Sequence, residues 1–173
     1  KLKQASELTG CNIYGKAEYF NPGESVKDRA ALFIVEDAIK NKKIQKGGLV
    51  IEGTAGNTGI GLAIVTKAYG MTLKIVIPKT QSVEKKQTLI DLGAELIEVD
   101  AAPYSSPDNY IKQSKKIADK LLGSNENGVL WANQFDNTVN TESHIKTTAR
   151  EIWTQTAGKI DGFVCSVGTG GTL

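Results

Sequence analysis

Residues 49–78, LVIEGTAGNTGIGLAIVTKAYGMTLKIVIP, decide the fold of this chain. Residues 49–52 form a short apolar run typical of a buried strand, and residues 73–77 form a second one that Pro78 ends. Between them, residues 59–69 have helical spacing, and Gly70 stands where helices commonly end. A strand, a helix and a strand in this order predict a βαβ unit with parallel strands.

The same alternation continues in both directions along the chain. Further strands are predicted at residues 11–20, 95–99, 129–133 and 162–167, and further helices at residues 25–43, 82–92, 106–122 and 141–156. The first of these helices is expected to begin with a capping box of Ser25 and Asp28, the second with Ser82, and the third with Ser106 and Pro107. The fold class is therefore α/β, with parallel sheets covered by helices on both faces in three layers.

Composition excludes several classes of protein. The net charge of +2, from 21 basic and 19 acidic residues, argues against a strongly basic nucleic-acid binder. No apolar run is long enough for a membrane span, and residues 1–10 lack the apolar core of an export signal. Cys11 and Cys165 fit neither a disulfide framework nor a zinc site, so no metal site is predicted. We expect a cytoplasmic protein with no membrane or nucleic-acid partner.

Three glycine-containing clusters stand where a strand or loop gives way to a helix. They are residues 21–29, NPGESVKDR; residues 52–61, EGTAGNTGIG; and residues 167–173, VGTGGTL. Ligands bind at the carboxyl ends of the strands in open parallel sheets, so all three clusters can meet in one crevice.

The residue types in these clusters suit anions and an amine. In residues 168–172, glycine N–H groups and the hydroxyls of two threonines would hold a phosphate, although a tight turn without ligand is the alternative. Asn57 near a helix N-terminus suits a carboxylate, or else serves as a helix cap. Lys27 opposes the helix dipole, which lowers its pKa and favours a reactive amine; the alternative is a surface lysine paired with Asp28 or Glu24.

Taken together, five segments resemble the fold-type II pyridoxal-phosphate enzymes, and most closely the cysteine synthases (O-acetylserine sulfhydrylases). They are TGCNIYGKAEYFNPGESVKDRAA, EGTAGNTGIGLA, KKQTLIDLGAEL, WANQFDN and FVCSVGTGGTL, and they extend over essentially the whole chain. The resemblance implies a fold like that of the tryptophan synthase β subunit. It also implies pyridoxal 5'-phosphate as cofactor, and O-acetylserine and sulfide as substrates that yield cysteine and acetate.

The resemblance assigns roles to individual residues. Lys27 would hold the cofactor aldehyde as a Schiff base and later move the substrate's α-proton. Asn57 would bind the phenolic oxygen of the cofactor. The cofactor phosphate would be held by Gly168, Thr169, Gly170, Gly171 and Thr172, and the substrate carboxylate by Thr54, Gly56, Asn57, Thr58 and Gln134. Many relatives have serine in place of Ala55, so one hydroxyl contact is missing in this chain.

The resemblance also implies a domain organisation. Residues 1–49 and 141–173 would belong to a larger domain, and residues 50–140 would form a smaller, mobile domain that carries the substrate loop. Because the chain stops at the glycine loop, we expect a piece of a longer fold that lacks part of its pocket. The intact protein is expected to be a homodimer.

Other functions remain open at this point. Within the same family, the chain could be a cystathionine β-synthase or a serine/threonine dehydratase. A non-catalytic homologue that acts as a binding partner has no need of Lys27, and a nucleotide-binding domain would require a third glycine where Leu173 stands. The single histidine, His144, is expected at the surface or half-buried, without a catalytic role.

Overall fold

The computed structural model describes residues 1–173, and its centre is one parallel sheet of four strands. The strands are β1 (Leu49–Gly53), β2 (Thr72–Pro78), β3 (Glu95–Val99) and β4 (Val129–Trp131). They lie in the order β3-β2-β1-β4, and all three pairs are parallel. The predicted α/β class with parallel strands is confirmed.

Seven α-helices connect and flank the strands. They are α1 (Lys3–Thr9), α2 (Lys27–Lys40), α3 (Asn57–Ala68), α4 (Val83–Asp91), α5 (Tyr110–Leu121), α6 (Val139–Ser143) and α7 (Ala149–Gln155). A short 3-10 helix covers Glu18–Phe20, and a π-helical turn, His144–Thr148, joins α6 to α7. None of the helices is both long enough and apolar enough to cross a bilayer.

Helices cover both faces of the sheet, as the sequence predicts. Every residue of β1 is buried, because its side chains alternate between two apolar layers. Val50 packs into the larger core with residues of α2 and α3, whereas Leu49 and Ile51 pack against α5. A fully buried central strand therefore fixes where its carboxyl end lies.

Two predicted strands are wrong. Residues 11–20 contain only the 3-10 turn, and residues 162–167 have no regular structure. Neither segment pairs with a strand of the sheet, and Val164 is 95% exposed. Alternating apolar residues are only half of the requirement for a strand, because the backbone also needs a neighbour with which to form a ladder.

Of the three predicted helix caps, only Ser82 is confirmed. Its hydroxyl accepts a hydrogen bond from the Lys85 N–H at 3.4 Å. The capping box at the start of α2 is absent, because the Asp28 carboxylate accepts from the N–H of Gly23 instead. Helix α5 begins after Asn109, whose side chain accepts from the Ile111 N–H at 3.0 Å, and the predicted Ser106–Pro107 start is wrong.

Candidate active site

The sheet reverses its strand order beside β1. From β1 the chain moves through β2 to β3 at one edge, and it then returns to place β4 on the other side of β1. The loops that follow β1 and β4 consequently leave the sheet at adjacent positions. This topological switch point is where α/β proteins of this class bind ligands.

Lys27 is the first residue of α2 and is half-buried. Its backbone N–H donates to the Ser25 hydroxyl at 3.3 Å, whereas its amine has no hydrogen-bond or ion-pair partner in the protein. Burial lowers the pKa of this amine. The direction of the shift agrees with the sequence argument, although desolvation is its cause. An amine without a partner and with a lowered pKa is suited to react with an aldehyde.

An ion-pair cluster supports the start of α2. Arg29 donates to both carboxylate oxygens of Glu18 at 2.8 and 2.9 Å, and to both oxygens of Glu151 at 2.6 and 2.8 Å. Lys16 donates to the same Glu151. The hydrogen bonds from Arg29 and Lys16 lower the pKa of Glu151 to about 2. The cluster thereby joins the irregular segment before Lys27 to α2 and α7.

Residues 54–58 connect β1 to α3 and present unpaired donors. The Gly56 N–H donates to the Thr54 hydroxyl at 3.2 Å, and the Ala55 carbonyl accepts from Gln81 at 2.7 Å. The backbone N–H groups of Ala55, Asn57 and Thr58 have no acceptor in the protein. Because these groups lie at the N-terminus of a 12-residue helix, the loop favours a carboxylate or another small anion.

Gln134 follows β4 and reaches across to this loop. Its side-chain oxygen accepts a hydrogen bond from the Thr58 hydroxyl at 2.5 Å, a contact between residues 76 positions apart. Gln134 is buried, and its polar groups lower the pKa of the Glu52 carboxyl near the end of β1, against the effect of burial. The structure thus brings together the two segments that sequence analysis assigned to one carboxylate site.

Residues 168–172 form a glycine loop that α6 and the π-helical turn support. The Thr169 hydroxyl accepts from the Asn140 side chain at 2.9 Å, and the Thr172 hydroxyl lies 3.4 Å from Nε2 of His144. The N–H groups of Gly168, Thr169, Gly170 and Thr172 have no acceptor in the protein. Four unpaired donors within five residues suit an anion with several oxygens, such as a phosphate.

His144 differs from its sequence expectation because it is 5% exposed, not at the surface or half-buried. Its Nδ1 lies 2.9 Å from the Thr148 hydroxyl, and its Nε2 faces the glycine loop. Burial lowers the pKa of His144, and the positive charges of Lys27 and Arg29 lower it further. These effects favour the neutral ring, whose two nitrogens lie beside the hydroxyls of Thr148 and Thr172.

All the predicted site residues line one cavity of about 830 Å³. They are Lys27, Thr54, Gly56, Asn57, Thr58, Gln134, Gly168, Thr169, Gly170, Gly171 and Thr172. The cavity therefore joins an amine of lowered pKa, a helix N-terminus with unpaired N–H groups and a glycine loop with unpaired N–H groups. This combination fits a cofactor that carries an aldehyde and a phosphate.

A family model for pyridoxal-phosphate dependent enzymes matches residues 1–173, the whole chain. The chain belongs to this family. It is 51% identical over 173 residues to cysteine synthase 1 of Neurospora crassa and 52% identical over the same length to cysteine synthase 1 of Emericella nidulans. In both comparisons all of this chain is aligned, with 45% of the relative, so the chain spans about half the length of these curated relatives.

The fold is also similar to that of solved enzymes. The O-acetylserine dependent cystathionine β-synthase of Helicobacter pylori superposes with a TM-score of 0.81 at 35% sequence identity. The aligned region covers 92% of this chain and 50% of that enzyme. The chain therefore has the parallel α/β architecture of this family.

The residues in the cavity fit the family's cofactor. Lys27 supplies an amine that no carboxylate engages, and residues 168–172 supply unpaired N–H groups for a phosphate. Gly171 has a specific steric reason to be glycine, since a Cβ at this position would lie 2.4 Å from Oδ1 of Asn140. At Ala55 the cavity wall carries a methyl group where a serine would offer a hydroxyl.

Sequence reasoning missed three residues that support the site: Glu52, Asn140 and His144. Asn140 donates to both the Gln134 carbonyl and the Thr169 hydroxyl at 2.9 Å, so it links the two loops. Glu52 lies near the end of a buried strand. The one feature of the sequence that could have drawn attention to it is a carboxyl inside an apolar run. Asn140 and His144 lie in a helical segment, and its spacing does not distinguish them from other polar residues.

Proposed function

We propose that this chain forms part of a pyridoxal-phosphate dependent, cysteine synthase-like enzyme. The proposed reaction replaces the acetate of O-acetylserine with sulfide, which gives cysteine and acetate. The observation that carries the proposal is the meeting of Lys27, the 54–58 loop and the 168–172 loop at one cavity. The similarity to two fungal cysteine synthases supports the same reaction.

Each group of side chains would have a separate role in this reaction. Lys27 would anchor the cofactor and, once free, move a proton at the α-carbon of the substrate. Asn57 would hydrogen-bond the ring of the cofactor, and the 168–172 loop would hold its phosphate. Residues 54–58 and Gln134 would bind the substrate carboxylate. When bound, pyridoxal phosphate would draw electrons away from the α-carbon and so make its proton more acidic. Once that proton is removed, the substituent on the β-carbon can leave.

A second candidate is a cystathionine β-synthase-like reaction, in which homocysteine replaces sulfide as the nucleophile. The similarity to the Helicobacter pylori enzyme favours this candidate, because that enzyme is named for both O-acetylserine and cystathionine. The two reactions share the first half and differ in the acceptor. Product analysis with sulfide or homocysteine offered separately distinguishes them.

We further propose that residues 50–140 form a smaller lobe that closes on a larger lobe made of residues 1–49 and 141–173. Closure would exclude water from the reacting substrate. The intact enzyme is proposed to be a cytoplasmic homodimer. Light scattering of the purified protein measures the oligomeric state directly.

The absorption spectrum of the protein with pyridoxal phosphate tests the central proposal. We expect a visible band that shifts when O-acetylserine is added, and borohydride reduction should attach the cofactor mass to Lys27. Lys27→Ala should abolish both the band and the labelled peptide. Lys40→Ala, at the other end of the same helix, is the matched control and should retain both. Persistence of the band and the labelled peptide in Lys27→Ala would refute the assignment.

A further inference from the structure

Glu52 is a buried carboxyl that the proposed chemistry does not use. It is 1% exposed, although strand interiors of this kind are otherwise apolar. No lysine or arginine pairs with it. A carboxyl in such a place is costly unless its hydrogen bonds are satisfied. Its partners therefore indicate what it does.

The partners of Glu52 all belong to the loop after β4. The Asn133 N–H donates to Oε2 of Glu52 at 2.7 Å, and the backbone and side chain of Gln134 favour the charged form of the same carboxyl, which opposes the effect of burial on its pKa. Asn133 has a positive φ of 49°, a left-handed conformation that asparagine adopts more readily than most residues with a side chain. Glu52 thus holds this turn and, through it, the backbone position of Gln134.

The same contacts orient the Gln134 side chain. Its amide oxygen accepts from the Thr58 hydroxyl, so its amide nitrogen is the group that can donate to Glu52. An NH₂ group has two hydrogens, so it can face Glu52 with one and a ligand with the other. Thr58 and its neighbours also carry the unpaired N–H groups at the N-terminus of α3.

We propose that Glu52 is a positioning residue that orients Gln134 to bind the carboxylate of the amino-acid substrate. This inference rests on the proposed function, because it assumes that an amino acid occupies the α3 N-terminus. Burial raises the pKa of Glu52 to about 7, and a carboxyl that is partly neutral near neutral pH repels an incoming carboxylate less.

The test compares ligands with and without a carboxylate. L-Serine and its decarboxylated analogue ethanolamine are titrated into the holo protein, and the shift of the cofactor band gives each dissociation constant. In Glu52→Gln, which keeps the volume and an acceptor for Asn133, the dissociation constant for L-serine should rise about tenfold, the worth of one charge-assisted hydrogen bond. The constant for ethanolamine should not change.

A matched control and a second readout separate positioning from general destabilisation. Thr66→Val removes a buried hydroxyl from the same helix as Thr58 but far along it, and it should leave both constants unchanged. The side-chain amide resonances of Gln134 in a ¹H–¹⁵N spectrum should shift in Glu52→Gln and stay in place in Thr66→Val. This spectrum reports the orientation of Gln134 without any ligand.

The possible outcomes are distinct. An equal loss of affinity for both ligands, or no loss for either, would overturn the positioning role while leaving the proposed enzyme intact. An unchanged Gln134 amide signal in Glu52→Gln would also overturn it. If neither ligand changes the spectrum of the unsubstituted holo protein, the proposed function fails, and the role of Glu52 in substrate binding fails with it.

Discussion

Replacing Glu52 with glutamine should change how the stability of the protein depends on pH. Burial raises the pKa of this carboxyl from 4.5 to about 7, although the polar groups of Asn133 and Gln134 lower it. The folded state therefore holds the Glu52 proton more tightly than the unfolded state does. Between pH 4.5 and 7 the unfolded chain releases the proton first, so the free energy of unfolding falls as pH rises.

The magnitude follows from the size of the shift. A difference between 4.5 and about 7, at 1.36 kcal/mol for each pH unit, corresponds to about 3 kcal/mol of stability lost by pH 8. Glutamine carries no titratable proton, so this part of the free energy of unfolding is not lost in Glu52→Gln as the pH rises. The difference in free energy of unfolding, Glu52→Gln minus the unsubstituted protein, should thus become more favourable by about 3 kcal/mol between pH 4 and pH 8.

Urea unfolding of the apo protein, followed by circular dichroism at several pH values, measures this difference. Other titrating groups cancel in the subtraction, because both proteins contain them. Glu126→Gln, at an exposed glutamate before β4 with no ion pair, is the matched control for the chemical change from carboxyl to amide. A flat difference curve for Glu52→Gln would refute the prediction, since the burial of the carboxyl would then carry no energetic consequence.

Three further substitutions test other parts of the site. Arg29→Lys loses the paired hydrogen bonds to two glutamates and should lower the free energy of unfolding by about 2 kcal/mol in urea titrations, whereas Arg150→Lys, at an exposed arginine without partners, should not. Gly171→Ala places a Cβ 2.4 Å from an asparagine oxygen of α6 and should weaken pyridoxal phosphate binding about tenfold by fluorescence titration; Gly162→Ala, outside the cavity and with nothing within 4 Å of its Cβ, is its control. Ala55→Ser adds a hydroxyl to the cavity wall and should lower KM for O-acetylserine about fivefold, and an unchanged KM would argue against a substrate carboxylate at this loop.

The regular elements that could be predicted from sequence are those whose signal lies within the element itself. Helix α3 and strands β1 to β3 have apolar spacing along their own length and glycine or proline at their ends, and they are confirmed within a few residues. Residues 11–20 have similar alternation but no neighbouring strand. Whether a neighbour exists depends on the whole fold, so no local pattern could have excluded that strand.

The same distinction applies to the site. Lys27, Asn57 and the 168–172 loop, which line one cavity, can be proposed as site residues from sequence because glycines and a helix start mark them locally. Glu52 and Asn140 were missed because their importance lies in contacts with distant segments, across to residues 133–134 for Glu52 and to residue 169 for Asn140. A residue that acts by positioning a distant residue has no recognisable pattern in the sequence around it.

The strand order explains why these distant contacts form at all. β1 lies between β2 and β4, and both pairs are parallel, so the ends of β1 and β4 open at the same edge of the sheet. Thr58 can then donate to Gln134, and Glu52 can hold the turn between β4 and Gln134. If β4 had instead paired with the outer edge of β3, two strands would lie between these loops and hold them roughly 10 Å or more apart. The side chain of Gln134 could then not have reached α3. The position of β4 is therefore the feature of the fold on which the proposed carboxylate site depends.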